Sequence, residues 1–343
     1  MTNPLPTMKI LVTGGGGFLG QAIVRRLVER GDSVSMLNRS AYPELEALGV
    51  ACHRGDIADR AAVFKAAHGC EAVMHVAAKA GPGLYAPDFE STNVIGTANV
   101  LAACAEHGID RLVYTSSPSV VHAGGDIENG DESLPYPEHF HSPYPETKAR
   151  AERLVLAANG PDLKTCALRP HLIWGPGDNQ LVPRLIEKNR AGKLRLPAPD
   201  KRIDTVFIDN AADAHILALD NLTGPATAAG KPYFISNGEP LANGDIIARL
   251  LTACGETPAI GQVSGGLAMA VATGVEGFWR LTRRRADPPL TRFVVEHLAT
   301  AHWFNIEAAR RDLGYEPAIS IEQGLERLAE RSGRSKRGEG RGS

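Results

Sequence analysis

Residues 13–20 read Thr13-Gly14-Gly15-Gly16-Gly17-Phe18-Leu19-Gly20, directly after the apolar run Ile10-Leu11-Val12 and directly before a helical pattern that reaches Arg30. A strand, a glycine-rich turn and a helix in that order open a βαβ unit of the kind that binds a dinucleotide. Gly14, Gly17 and Gly20 have the spacing that lets the backbone turn tightly, approach a pyrophosphate and set the partial positive charge of a helix N-terminus against the phosphates. Phe18 and Leu19, in the same turn, join them as candidate cofactor contacts. Glycines alone would mean only a flexible turn; the flanking strand and helix carry the reading.

Working outward, short apolar runs at 9–13, 33–37, 50–54, 72–76, 111–115 and 165–169 alternate with helical patterns. Runs such as Ile10-Leu11-Val12 are apolar on both faces, as in a parallel sheet covered by helices on both sides. The expected class is therefore α/β: a doubly wound Rossmann sheet with a smaller C-terminal substrate-binding annex. Residues 1–170 should be mainly nucleotide-binding, with a strand near 205–208 and segments to about 220 returning to that unit, and 171–330 mainly annex. Helical patterns occupy 243–252 and 291–300. Ser320-Ile321-Glu322-Gln323 has a capping-box spacing and opens an amphipathic helix with Ile321, Leu325 and Leu328 on one face. The remainder, residues 331–343 (RSGRSKRGEGRGS), has no apolar side chain and is expected to be a disordered basic tail.

With 343 residues, 43% of them hydrophobic, the chain can bury a large core. A net charge of −2 gives no long-range field toward nucleic acid or an anionic membrane. Cys52, Cys70, Cys104, Cys166 and Cys254 lie far apart with no C-x-x-C pair, which argues against a disulfide framework or a zinc knuckle and for buried thiols. His139 and His141 lack a third ligand at recognisable spacing, so no metal is expected. Residues 1–8 lack a basic start and apolar run, and no stretch approaches the ~20 apolar residues of a membrane span, so a cytoplasmic protein is expected.

At the end of the second strand stands Asn38-Arg39-Ser40 in place of the acid that usually holds a ribose 2′-hydroxyl. Arg39 suits a 2′-phosphate instead and points to NADP(H). Asp56 and Ile57 after the third strand fit the adenine, Ala77 after the fourth gives room for the cofactor, and Pro170 closes the sixth beside it.

Hydride reduction of a ketone leaves negative charge on oxygen, which requires a proton donor and a second group to hold that oxygen. Tyr144 is the only one of seven tyrosines with a lysine four residues on, Lys148. On a helix that spacing puts both on one face, where the ammonium is expected to lower the phenol pKa toward neutrality. Ser116, Ser117 and Ser119 follow the fifth strand, at the sheet end where ligands bind. No G-x-S-x-G elbow supports hydrolysis, and His171 reads as a pocket wall.

Taken together these motifs resemble the extended short-chain dehydrogenase/reductase family over nearly the whole chain to about Glu330. The resemblance implies that Ser117 orients substrate, Tyr144 is the catalytic acid/base and Lys148 binds the nicotinamide ribose. The stretches at 114–121, 168–178 (LRPHLIWGPGD), 207–215 (FIDNAADAH) and 288–293 (PPLTRF) resemble its 3β-hydroxysteroid dehydrogenase branch. Those at 233–240 (YFISNGEP) and 302–315 (HWFNIEAARRDLGY) are similar to the bacterial 2-alkyl-3-oxoalkanoate reductases of long-chain olefin biosynthesis. That resemblance implies NADPH-dependent, reversible reduction of a hydrophobic long-chain 2-alkyl-3-oxo acid in an apolar cleft. It also implies a homodimer formed through helices at 92–106 and 144–158, and association with pathway enzymes. The stretch 196–203 (LPAPDKRI) departs from the pattern by lacking a glycine-rich turn. Residues 267–285 read as a flap over the acyl chains, an amphipathic patch for a membrane or partner, or a core helix. A sterol dehydrogenase, a nucleotide-sugar epimerase and a non-catalytic NADP(H) sensor are the competing readings.

Overall fold

The computed structural model describes residues 7–339. Seven strands form one parallel sheet: β1 (Lys9–Thr13), β2 (Ser33–Asn38), β3 (Ala51–Arg54), β4 (Ala72–His75), β5 (Arg111–Thr115), β6 (Lys164–Pro170) and β7 (Lys231–Ile235), in the order β7-β6-β5-β4-β1-β2-β3. The chain builds outward from β1 to β3 and then returns to β4 on the other side of β1. That reversal makes a crevice at the carboxyl ends of β1 and β4. The six expected strands are all present within a residue or two of their predicted limits. β7 escaped the strand reading because its Lys-Pro start interrupts the apolar pattern.

Side-chain alternation assigns each strand to two cores. Ile10 and Val12 belong to one apolar cluster and Leu11 to the other; Met74 and Val73 divide the same way, as do Val113 and Leu112. The first cluster is covered by α1 (Phe18–Arg30) and the second by α2 (Arg60–Ala67), α3 (Gly96–His107) and α4 (Pro143–Ala157). Asp59 caps α2 by accepting from the Ala61 and Ala62 N–H groups, and Gly31 ends α1 at φ 95°. Val206–Phe207 is a two-residue strand paired with Ile173–Trp174, after which α5 (Ile208–Thr223) packs on the first core beside α1. The strand predicted at 205–208 is thus present in its centre, with Ile208 already helical.

Segments from beyond β6, joined by residues 127–130 from between β5 and β6, build a second layer over the carboxyl end of the sheet. A four-stranded sheet of short segments is ordered Leu241–Ala242, Arg202–Ile203, His302–Phe304, Ile127–Gly130. Beside it lie α6 (Asn243–Ala253), α7 (Gly265–Leu281) and α8 (Arg292–Ala299). The final helix, α9 (Ile321–Glu339), opens with the expected capping box: Gln323 Oε1 accepts from Ser320 N–H at 3.0 Å, and Ser320 Oγ accepts from Gln323 N–H at 3.2 Å. Its Ile321, Leu325 and Leu328 are buried.

Two expectations change here. The basic tail expected from residue 331 is helical as far as Glu339, because Arg, Lys and Glu are good helix formers and need only extend a helix already nucleated upstream; residues 340–343 lie outside the described part. None of the residues of α7 lines the large cavity below, so α7 is not a flap over it. It is not a core helix either: Ala268 and Ala272 face Val295, while Leu267, Val271, Phe278 and Leu281 are exposed. Four of the five cysteines are buried and Cys52 is half-buried. Among the described residues no helix is long and apolar enough to cross a membrane.

Candidate functional site

One cavity of about 750 Å³ lies across the carboxyl end of the sheet and continues beneath the second layer. Its lining includes Gly14, Gly17, Phe18, Leu19, Gly20, Arg39, Asp56, Ile57, Ala77, Ser117, Tyr144, Lys148 and Pro170, so every candidate residue from the sequence meets in one place.

The glycine positions explain themselves sterically. Gly14 sits at φ 69°, and a Cβ there would lie 2.8 Å from the Ala77 backbone, so β1 and β4 close on each other only through glycine. A Cβ at Gly20 would lie 2.1 Å from the Gly14 carbonyl oxygen, which prevents any side chain between α1 and the turn. At Gly17, by contrast, only the Gly14 oxygen is near, at 3.3 Å. Gly17 offers no side-chain cap, and the first turn of α1 lines the cavity with its backbone N–H groups. That is a cradle suited to a phosphate. Asn38 Oδ1 fixes the turn by accepting from Gly16 N–H at 3.0 Å. Arg39, exposed at the cavity mouth, makes no ion pair with any described residue. Asp56 folds its own loop by accepting from Ala58 N–H at 2.9 Å.

Tyr144 and Lys148 stand one turn apart near the start of α4. The Tyr144 phenol lies beside the Ser117 hydroxyl, close enough for Ser117 to favour its ionised form, and the Ser117 oxygen is 3.0 Å from Ser119 Oγ. Ser116 Oγ is buried with no partner, so Ser117 alone of the three serines meets the phenol. Lys148 is 2% exposed; its Nζ donates to the Thr115 carbonyl at 2.5 Å and lies 4.2 Å from the centre of the Tyr114 ring. Burial brings its pKa down to about 7, against the pull of Glu152 one turn further on. The expected effect of Lys148 on the phenol is therefore not what this arrangement gives. Burial raises the Tyr144 pKa, and the neighbouring Ser117 hydroxyl is what opposes the rise. Both groups are desolvated in the same wall of the cavity, which disfavours the charged form of each.

Sequence reasoning missed what holds this helix in register. Glu152 is fully buried and takes Arg169 Nη2 from β6 at 2.5 Å, with the Tyr136 hydroxyl donating to the same oxygen at 2.6 Å. Tyr144, Lys148 and Glu152 continue one i, i+4, i+8 stripe, a signal that was visible in the sequence. Also missed was a group of imidazoles at the far end of the cavity. His122, His171, His297 and His302 all line it, although they are scattered in sequence without any ligand-like spacing. His171 was expected as a wall and is one. Phe293 makes an edge contact with the Tyr144 ring, centroids 6.2 Å apart. The rest of that end is largely apolar, with Ile246, Ile247, Leu250, Val294 and Leu298 beside the polar Thr205 and Asn243.

The 3-beta hydroxysteroid dehydrogenase/isomerase family matches residues 11–259. A 2-alkyl-3-oxoalkanoate reductase of Stenotrophomonas maltophilia (strain K279a) is 54% identical over 324 residues, covering 94% of this chain and 98% of that protein. A protein of the same name from Shewanella oneidensis is 45% identical, covering 92% and 84%. Among solved structures, UDP-glucose 4-epimerase with UDP-glucose from Thermotoga maritima superposes with a TM-score of 0.74 at 21% identity, covering 96% of this chain and all of that one. At that identity the superposition shows a shared fold.

Proposed function

Because the chain belongs to the 3-beta hydroxysteroid dehydrogenase/isomerase family, we propose that it interconverts a 2-alkyl-3-oxoalkanoic acid and the 2-alkyl-3-hydroxy acid with NADP(H). The observation that carries this reading is the Tyr144–Ser117 contact, set between the glycine cradle and an apolar recess within one cavity. The names of the two relatives support the substrate class.

The cradle fits a dinucleotide: the uncapped first turn of α1 faces the cavity, and Gly17 leaves space where a side chain would stand. Gly14, Gly17, Phe18, Leu19 and Gly20 would hold the pyrophosphate, Asp56, Ile57 and Ala77 the adenosine side, Arg39 a 2′-phosphate, and Lys148 and Pro170 the nicotinamide end. A nicotinamide, when bound, supplies or accepts the hydride. The chain's own part is proton handling. Tyr144 gives its phenolic proton to the carbonyl oxygen in reduction and takes one from the hydroxyl in oxidation, while Ser117 donates a hydrogen bond to the same oxygen. A phenol with a raised pKa is protonated at neutral pH, which suits the reductive direction. The apolar recess receives the two alkyl chains.

We further propose a cytoplasmic homodimer through α3 and α4, whose neighbourhood exposes Ile95 and Leu154, and association with other enzymes handling the same acyl chains. A sterol would also suit an apolar recess, so it is the second reading. The assay is NADP⁺ reduction at 340 nm with a racemic 2-alkyl-3-hydroxyalkanoic acid, with cholesterol and UDP-glucose in parallel. Oxidation is the practical direction because 3-oxo acids lose CO₂. Turnover of the hydroxy acid alone is expected; turnover of cholesterol alone would move the assignment to the steroid branch, and NADPH binding without any turnover would make the protein a sensor.

A further inference from the structure

The four imidazoles come from four different segments: His122 after the turn that follows β5, His171 after β6, His297 from α8 and His302 from the second-layer sheet. They are in mutual contact. His171 stacks on His302 with centroids 4.9 Å apart, His122 lies 4.7 Å from His297, and His297 lies 5.3 Å from His302.

Their hydrogen bonds determine where the protons sit. A carbonyl only accepts, so His302 Nε2, 2.8 Å from the His297 carbonyl, carries a proton, and His297 Nδ1, 3.1 Å from the Phe293 carbonyl, carries another. A neutral His302 then offers its bare Nδ1 to His171 Nε2–H at 2.9 Å. His122 Nδ1 accepts from Gly124 N–H, which leaves its Nε2–H for Thr300 Oγ1 at 3.2 Å. Two basic nitrogens remain unused: His171 Nδ1, buried without a partner on a residue 6% exposed, and His297 Nε2. Such orphaned nitrogens are costly in an apolar recess and are expected to have a use. The ring planes are stacked, tilted or, between His122 and His302, perpendicular, and no group among the described residues has the arrangement to hold a metal ion.

We infer that this cluster, with His297 at its cavity-facing edge, is a subsite for the substrate's carboxylate, which rests on the reductase reading proposed above. In a 3-oxo acid the carboxyl carbon is two bonds from the carbonyl carbon, so the acid must lie close to Tyr144. The cluster lies on the Tyr144 side of the cavity, since Phe293 touches both the Tyr144 ring and, at 4.3 Å between centroids, the His297 ring. The other cationic side chains of the cavity are placed elsewhere. Lys148 is bound to Thr115, and Arg39 and Arg184 are exposed at its outer parts. Burial and mutual repulsion favour neutral imidazoles, holding His297 and His171 well below the usual histidine range and bringing His122 to about 4. Of the acidic groups nearby, Asp126 is engaged with Lys201 and Ala301 N–H and Glu296 with His141 at 2.7 Å, while burial pushes the Asp204 carboxyl up to about 7 and its Oδ2 accepts from Phe304 N–H. An arriving carboxylate therefore supplies the missing counter-charge, and the cluster takes up one proton as it binds.

The test compares KM for a 2-alkyl-3-hydroxyalkanoic acid and its methyl ester in the wild type, His297→Asn, which keeps a donor for the Phe293 carbonyl but removes the Nε2 site, and His297→Phe, which keeps the ring contacts. Both variants are expected to raise KM for the acid at least tenfold, with kcat within about threefold and the ester unaffected. Calorimetry of the wild type with the acid, in buffers of different ionisation enthalpy, should show uptake of close to one proton, and KM for the acid should rise up to tenfold per pH unit above neutrality. Equal losses for acid and ester, no loss for either, or no proton uptake would overturn the subsite while leaving the reductase intact. Failure of the wild type to turn over any such acid would overturn the reductase reading itself and the subsite with it.

Discussion

Lys148 carries a protonation cost that can be measured apart from catalysis. Its folded pKa of about 7 lies below the unfolded value, near 10.4 for a free lysine. Between those values the unfolded chain binds the extra proton, so this residue makes stability rise with pH from about 7 toward 10; below 7 the full cost of burying the charge is present. Lys148→Met should accordingly flatten the rise in urea midpoint between pH 7 and 9, by at most about 1.4 kcal/mol per pH unit. A variant with the wild-type slope would mean that the ammonium is not desolvated. Arg39 makes the second prediction at this scale. An exposed guanidinium without an ion-pair partner among the described residues is free to take a 2′-phosphate, so Arg39→Ala should weaken NADPH binding by tenfold or more and leave NADH binding within about twofold, as measured by fluorescence titration. Equal effects on both cofactors would remove Arg39 from the selection.

Among the elements, α4 carries Tyr144 and Lys148, on which the proposed chemistry depends, and it is tied to β6 by an ion pair the sequence reading passed over. Glu152 and Arg169 are both almost wholly buried. Removing one partner strands the other charge, so Glu152→Gln should cost about 3–5 kcal/mol of unfolding free energy, and adding Arg169→Met should recover part of it. No loss in the single variant would mean that the pair is dispensable for the placement of Tyr144. The contrast with the first βα unit shows what a sequence makes legible. Strand, glycine turn and helix lie within 22 consecutive residues, from Lys9 to Arg30, and Gly14 and Gly20 each have a local steric reason, so that part was readable. Tyr144 with Lys148 was readable because four-residue spacing is itself a helical contact. The histidine cluster was not, because residues 122, 171, 297 and 302 are brought together only by the packing of four separate segments. β7 and the helical extension of residues 331–339 were hidden for a different reason, weak local apolar pattern, which neighbouring structure overrides.

At the scale of the whole molecule, the sheet reversal between β1 and β4 places the glycine cradle at one end of a single cavity, and the second layer closes an apolar recess over the other end. Tyr144 and Ser117 stand between them. Under the proposed function this division would give cofactor to the sheet and substrate to the added layer, with Tyr144 the side chain on which both directions of the reaction would depend. Tyr144→Phe removes the proton while keeping the ring that meets Phe293, so folding and cofactor affinity should be retained. The direct measurement is the rate of NADP⁺ reduction by a 2-alkyl-3-hydroxyalkanoic acid in this variant against the wild type, with NADPH affinity determined on the same samples. A loss of 10²-fold or more at unchanged NADPH affinity is the predicted result; a variant that oxidises the acid within a fewfold of the wild-type rate would contradict the account.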